Sequence, residues 1–349
     1  MIADIGFAKT SNELIAGGIV AYSLGLLSYA ADFAAGNHAA PAPASSATPV
    51  TSRQVSLIGA GVGAPNAAAG ESTGSDRPNH ADENDPSVVD MRRRGAGSRI
   101  GAIAVGFTVT GWAAHGGAIV TRGLSVHRLP WGNMYEFALA LTFAAVGAFL
   151  VTLTRQQVRF LGLFVMTPVV LGLGLAVTVL YVAPAPLVPA LQSYWLAIHV
   201  TAAIIASGVL TVGTAATVMY LIADRYATAL QRGGRVRFSA LARMLPAPEV
   251  LDRTAYRAYI FAFPLWTFAV IAGAIWAEAA WGHYWQWDPK ETWSFITWVV
   301  YAGYLHARAT GGWRGSGAAY IALLGFVTFL FNFFGVNVVL VGMHSYAGV

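Results

Sequence analysis

Apolar stretches of about 20 residues recur eight times along this 349-residue chain, separated by shorter polar or charged segments. They fall near 13–34, 99–120, 133–153, 160–182, 194–222, 257–279, 292–308 and 317–341. At a rise of about 1.5 Å per residue, a helix of that length crosses a hydrocarbon layer of about 30 Å. The pattern predicts an all-α, polytopic integral membrane protein of about eight transmembrane helices. Composition agrees: 56% of residues are hydrophobic, 11% are charged, and the mean hydropathy is +0.57. Those values lie far from the average of soluble domains.

Residues 36–98 break the pattern. Their Ala, Pro, Ser, Thr, Asp and Glu content buries too little apolar surface to fold, which predicts a disordered linker. It separates a first transmembrane helix in 1–35 from a seven-helix core in 99–349. The linker holds Gly59-Ala-Gly61-Val-Gly63, a partial glycine fingerprint. No strand precedes it and no apolar helix follows, so it does not read as a nucleotide site. Met91-Arg92-Arg93-Arg94, just before the second span, reads as a topology signal that meets lipid headgroups.

Charge sets the expected orientation. Segments 36–99, 154–159, 223–257 and 307–316 hold 17 of the 21 Lys and Arg. The alternate set holds only Lys9, Arg122, Arg128 and Lys290. The positive-inside rule makes the first set cytoplasmic and puts both termini outside. This topology accounts for the net charge of +5 without nucleic acid. The first residues carry Asp4, Lys9 and Glu13 rather than a basic leader pattern. With no cysteine, the chain has no thiolate of its own for redox or nucleophilic work.

On the outer side lies the segment 280–293, in which Trp281, Trp285, Trp287 and Trp293 fall within thirteen residues. An aromatic belt at a membrane surface needs one or two such residues per helix end. This cluster exceeds that and, with Tyr284, makes an apolar platform suited to a large planar ligand. Asp288-Pro289-Lys290-Glu291 reads as helix-start grammar, with Asp288 at the N-cap and Glu291 closing a capping box. Asn133-Met-Tyr-Glu136 repeats it. Lys290 is the loop's one cation, placed to pair with a ligand carboxylate or with lipid headgroups.

Among eight histidines, His199 lies one turn inside the fifth span and His344 just beyond the eighth, both level with the tryptophan loop. Two neutral imidazoles flanking an aromatic platform suit axial ligation of a haem iron. His283 lies in the loop itself, able to substitute or to hydrogen-bond. His306 lies far along the seventh span, below Ala302 and Gly303. An ionisable group at that depth is either a site or a histidine bonded to a backbone carbonyl. His115 is too distant in depth to share an iron with it, so a ligating His306 needs a partner from another chain. His38, His80 and His127 read as solvated, and Asn332 and Asn337 as interhelical hydrogen-bonders.

The ordered motifs now identify a resemblance. Trp281-Gly-x-Tyr-x-Gln-Trp-Asp-Pro-Lys-Glu-Thr-Trp293, followed by Trp298 and Leu305-His306-Ala-Arg308, resembles the WWD signature of haem-handling membrane proteins. Within them it is similar to the CcsA/ResC type of cytochrome c synthase subunit, labelled CcsB in some bacteria. Pro130-Trp-Gly-Asn133-Met-Tyr135-Glu136, Gln192-Ser-Tyr194-Trp195-Leu-Ala-Ile-His199 and His344-Ser345-Tyr346 extend the match over 99–349. Val-Leu-Val-Gly-Met before His344 departs from the Leu-Gly-rich approach common in the family.

The resemblance implies that His199 and His344 ligate external haem beside the loop and that His306 receives haem nearer the cytoplasm. It implies a ResB/CcsB-like membrane subunit carrying the second inner histidine. It also implies haem b as transported substrate, thioether attachment to the Cys-x-x-Cys-His of apocytochrome c, and a separate thioredoxin-like thiol reductant. The expected setting is the bacterial plasma membrane, with the loop on the extracytoplasmic side, and the expected role is in a holocytochrome c synthase (haem lyase). Two rivals remain open: a haem exporter with no part in attachment, and a b-haem subunit passing electrons. The latter calls for two complete histidine pairs within one bundle.

Overall fold

The computed structural model describes residues 4–35, 86–156, 158–187, 189–233, 239–310, 313, 315–340 and 342–344. Every regular element among them is helical. In order these are α1 (Ile5–Ala34), α2 (Pro86–Val126), α3 (Met134–Arg155), α4 (Leu161–Thr178) and α5 (Tyr194–Gln231). A short α6 (Ser239–Met244) precedes α7 (Pro248–Trp281) and α8 (Pro289–Ala309). Last come α9 (Ser316–Leu330), a π-helical turn (Phe331–Gly335) and α10 (Val336–Val339).

Among the described residues, seven helical stretches are long and apolar enough to cross a membrane: α1, Arg99–Val126 of α2, α3, α4, α5, α7, and Ser316–Val339. The chain is a polytopic membrane protein. The expected seventh span coincides with α8, a helix of 21 residues that falls outside this set. Its sequence explains why, since Lys290, Glu291, His306 and Arg308 dilute its apolar residues. The expected linker also ends earlier than its composition suggested. Residues 36–85, with the glycine fingerprint, His38 and His80, lie outside the described set, whereas 86–98 belong to α2.

Helices approach closely where small residues allow it, the usual packing device between membrane helices. α5 runs along α7, and α1 along α2. At Gly208 of α5, a Cβ would fall 2.6 Å from the backbone of Ala144 in α3. At the far end of α7 and α8, Arg308 donates two hydrogen bonds of 2.8 Å to Asp252.

At the end that carries the 282–288 loop, a buried ion triad joins α2, α3 and the segment after α4. Arg122, wholly buried, donates through Nε to Glu136 Oε1 at 3.1 Å and through Nη2 to the Val182 carbonyl. Arg128 reaches Glu136 Oε2 at 2.8 Å and the Ala185 carbonyl at 3.1 Å. The Gly132 N–H donates to the same carboxylate at 2.9 Å, and Asn133 caps α3 by accepting from the Glu136 N–H. Glu136 therefore fixes the turn 128–133, which becomes one wall of the site. Glu136→Ala leaves two guanidinium groups without their carboxylate. We expect it to cost about 3–5 kcal/mol, read as a lower thermal unfolding midpoint in detergent. An unchanged midpoint would remove the triad from the account.

Candidate functional site

Helix α7 presents Trp266, Ala269, Gly273 and Trp276 at three- and four-residue spacings, so they share one face. The two small residues make a notch between two indoles, and α5 lays His199 into it. His199 Nδ1 lies 2.7 Å from the Ala269 carbonyl, to which it donates. A Cβ at position 273 would sit 2.7 Å from His199 Cε1 and Nδ1, so only glycine leaves room for this ring pose. With its proton on Nδ1, the ring offers Nε2 as the metal-binding nitrogen.

Gly282, at φ 79°, ends α7 in a left-handed cap, and Asp288 opens α8. The capping box forms as expected: Asp288 accepts from the Lys290 N–H, and Glu291 Oε2 accepts from the N–H groups of Asp288 and Gln286 at 3.1 and 3.0 Å. Trp287, immediately before the cap, has φ 63°, a left-handed conformation costly for an aromatic residue. Strain of that kind is of the order of 1–3 kcal/mol and persists only where its surroundings enforce it. Here the hydrogen bonds to Glu291 on either side of Trp287 do so.

Asp288 has a second role. Its Oδ1 accepts from the Met343 N–H at 2.6 Å, and its Oδ2 pairs with His344 Nδ1 at 2.9 Å. Burial alone raises the Asp288 carboxyl, but the His344 and backbone hydrogen bonds outweigh it and hold the group below its ordinary value. The aspartate that starts α8 thus also docks the ring of His344, again through Nδ1, which leaves Nε2 as the nitrogen available to a ligand.

Both histidines line one cavity, with roughly 1170 Å³ of atom-free space including its part open to solvent. Trp281, Tyr284, Trp285 and Lys290 line it as well, so six of the ten residues singled out from sequence converge. Of the others, Asp288 stands behind His344. Trp287 is 66% exposed and meets Trp285 edge-on at 5.7 Å. Trp293 packs away from the cavity against Phe331, with ring centroids 4.2 Å apart. His306 lies in the last turn of α8, exposed, on a face shared with Phe295, Val299 and Gly303.

Trp276 is the residue that sequence reasoning passed over. Its ring, 2% exposed, lies parallel to His199 at 6.1 Å, 5.7 Å from His344 and 4.8 Å from Trp281. Trp266 was missed too, although both fall on the apolar stripe of α7 that contains Gly273. Asn337 is the interhelical hydrogen-bonder expected, bonding Met134 Sδ and the Phe333 carbonyl, yet Asn332 and Asn337 also line the cavity. His283 packs on Trp281 outside it. His115 is buried in α2 against Tyr22 and Phe143, and among the described residues no group of three or more His, Cys, Asp or Glu is placed to hold a metal ion.

Two imidazoles tied through Nδ1, an aromatic wall and one cation make a donor set suited to a large, flat, anionic metal macrocycle. Fold and cavity together describe a polytopic membrane protein with a site fit for such a ligand. Residues 131–344 match the family described as Cytochrome C assembly protein, from cavity-lining Trp131 to His344. Among curated relatives, the cytochrome c biogenesis protein CcsA of Gloeobacter violaceus is 34% identical over 278 residues, covering 66% of this chain and 82% of its own. That of Guillardia theta is 36% identical over 239 residues, covering 65% and 79%. The Microcystis aeruginosa protein of the same name is 35% identical over 267 residues, covering 64% and 81%. The chain belongs to the cytochrome c assembly family, in its CcsA-type branch. Its role is in cytochrome c biogenesis, which entails haem and apocytochrome c in general terms.

The notch gives a direct check. Gly273→Ala displaces the His199 ring and is expected to strip most haem from protein purified from membranes, as read by its reduced absorption spectrum. Gly174→Ala, at a glycine with nothing within 4 Å, should leave that spectrum unchanged.

Proposed function

We propose that this protein carries haem b across the bacterial plasma membrane and presents it to apocytochrome c for thioether attachment. The single observation behind this reading is the pair His199 and His344, each held through Nδ1, in the wall of one aromatic cavity. In this reading α8 is an eighth span, and the loop 282–288 faces the extracytoplasmic side. The charge distribution along the sequence supports that orientation.

Haem enters at His306, paired with a histidine of a ResB/CcsB-like subunit. The exposed face of α8 supports such a route, since Gly303 has nothing within 4 Å of where a Cβ would lie. At the outer site, His199 and His344 bind the iron, and the aromatic wall holds the ring plane. Lys290 faces the propionates. A Cys-x-x-Cys-His segment, kept reduced by a thioredoxin-like partner, then brings its thiols to the vinyl groups. Each S–H adds across a C=C bond, forming one C–S and one C–H bond without net redox change. The protein contributes mainly by positioning, which makes the addition effectively intramolecular.

The test is a set of reduced haem spectra for wild type, His199→Ala, His344→Ala and His306→Ala, purified with the partner subunit. The two outer variants should lose their six-coordinate signal and regain it with added imidazole. His306→Ala should lower the amount of haem reaching the outer pair. Wild-type spectra in all three would overturn the site assignment.

A further inference from the structure

The two histidines are held in different ways, and the difference decides which of them can be exchanged. This step rests on the reading of His199 and His344 as the axial pair. His199 belongs to a continuous helix. It donates to a carbonyl inside α7, lies against the Gly273 notch and is covered by Trp276. Ala269 lies twelve residues before the end of α7, roughly 18 Å along its axis. His344 stands beyond α10 in the segment 342–344, and its ring bond runs to Asp288, beyond the end of α7. His199 is therefore the bundle-side ligand and His344 the loop-side ligand.

We infer that His344 is the axial ligand that yields to the histidine of the incoming Cys-x-x-Cys-His segment, while His199 stays on the iron throughout. A peptide backbone cannot approach through the bundle, where its polar groups would lose water without gaining partners. It comes from the loop end and meets the face of the macrocycle that His344 occupies. The Fe–N bond to His344 breaks as the Fe–N bond to the peptide histidine forms. One imidazole replaces another, with no change in charge or oxidation state. Asp288 holds Nδ1 and not the ligating nitrogen, so the released ring keeps its hydrogen bond and remains beside the site. His199, by contrast, is carried by a continuous helix and lies tight against Gly273, so its ring has little room to swing off the iron. The thiols consequently arrive on the His344 face, beside Trp281 and the loop.

The probe is a synthetic Ser-x-x-Ser-His peptide, which can ligate but cannot form thioethers, added to haem-loaded protein. His344→Ala and His199→Ala should both give high-spin haem, and free imidazole should return both to low spin. The peptide should return only His344→Ala to low spin. Restoration of His199→Ala by the peptide, or of neither variant, would overturn the inference. Low-spin haem in both variants before any addition would instead overturn the axial-pair reading beneath it. Asp288→Asn keeps a good N-cap residue and so guards against loss of the fold. It weakens the hold on His344, and the peptide should then displace the resident ligand at several-fold lower concentration. An unchanged peptide titration in that variant would also overturn the inference.

Discussion

The Asp288 carboxylate is the constraint on which the outer half of this molecule depends. It terminates one helix's unsatisfied N–H groups and, with the same two oxygens, docks a segment more than fifty residues later in the chain. A neutral side chain could cap α8, but it would not hold both the Met343 N–H and the His344 ring with charge-assisted bonds. Helix start, loop conformation and ligand orientation therefore share one group. The left-handed backbone at Trp287 belongs to this arrangement, since Glu291 grips the chain on both sides of it.

A second anchor lies across the cavity at Glu136. Two arginines and the Gly132 N–H converge on that carboxylate and fix the turn that presents Trp131 and Asn133. Buried ion pairs add little net stability against an apolar alternative, because desolvation offsets most of their attraction. Their use here is geometric: they set where a short loop ends and a helix begins. Asp288 and Glu136 each stand at the start of a helix, and each fixes residues that line the cavity: His344 through the first, Gly132 and Asn133 through the second.

Much of this was legible in the sequence because membrane helices are long, apolar and closed by recognisable caps. The segments later seen as α1, α3, α4, α5 and α7 read directly from their hydropathy, and both capping motifs read from their spacing. His199 and His344 read as partners because both lie level with the tryptophan loop. What could not be read was tertiary. Trp276 is one apolar residue in an apolar helix, and only the packing of α5 on α7 together with the docking of 342–344 on Asp288 places it against both histidines. Gly273 looks like any membrane glycine until the imidazole is seen where its Cβ would be. Arg122 and Arg128 counted only as outer cations, since nothing local announces that both meet Glu136. α8 also read as a span, although polar residues that serve its cap and its two ends lower its hydropathy below that of its neighbours.

The unequal support of the two histidines bears on how a tightly held macrocycle is handed on. A carboxylate on Nδ1 makes an imidazole the more basic ligand, so Asp288 strengthens the bond that must later break. Bond strength alone would then favour losing His199, whose partner is a neutral carbonyl. Access points the other way, and exchange differs from loss. When one imidazole replaces another on the same face, the new bond compensates most of the old, so exchange forfeits only the extra strength that Asp288 lends, whereas simple loss forfeits the whole bond. His199 faces the bundle, against Gly273 and Ala269, where no incoming histidine can take its place. Strong ligation at the loop side and a fixed ring at the bundle side are therefore compatible. The first keeps haem in place until a histidine arrives, and the second keeps it oriented while the exchange takes place.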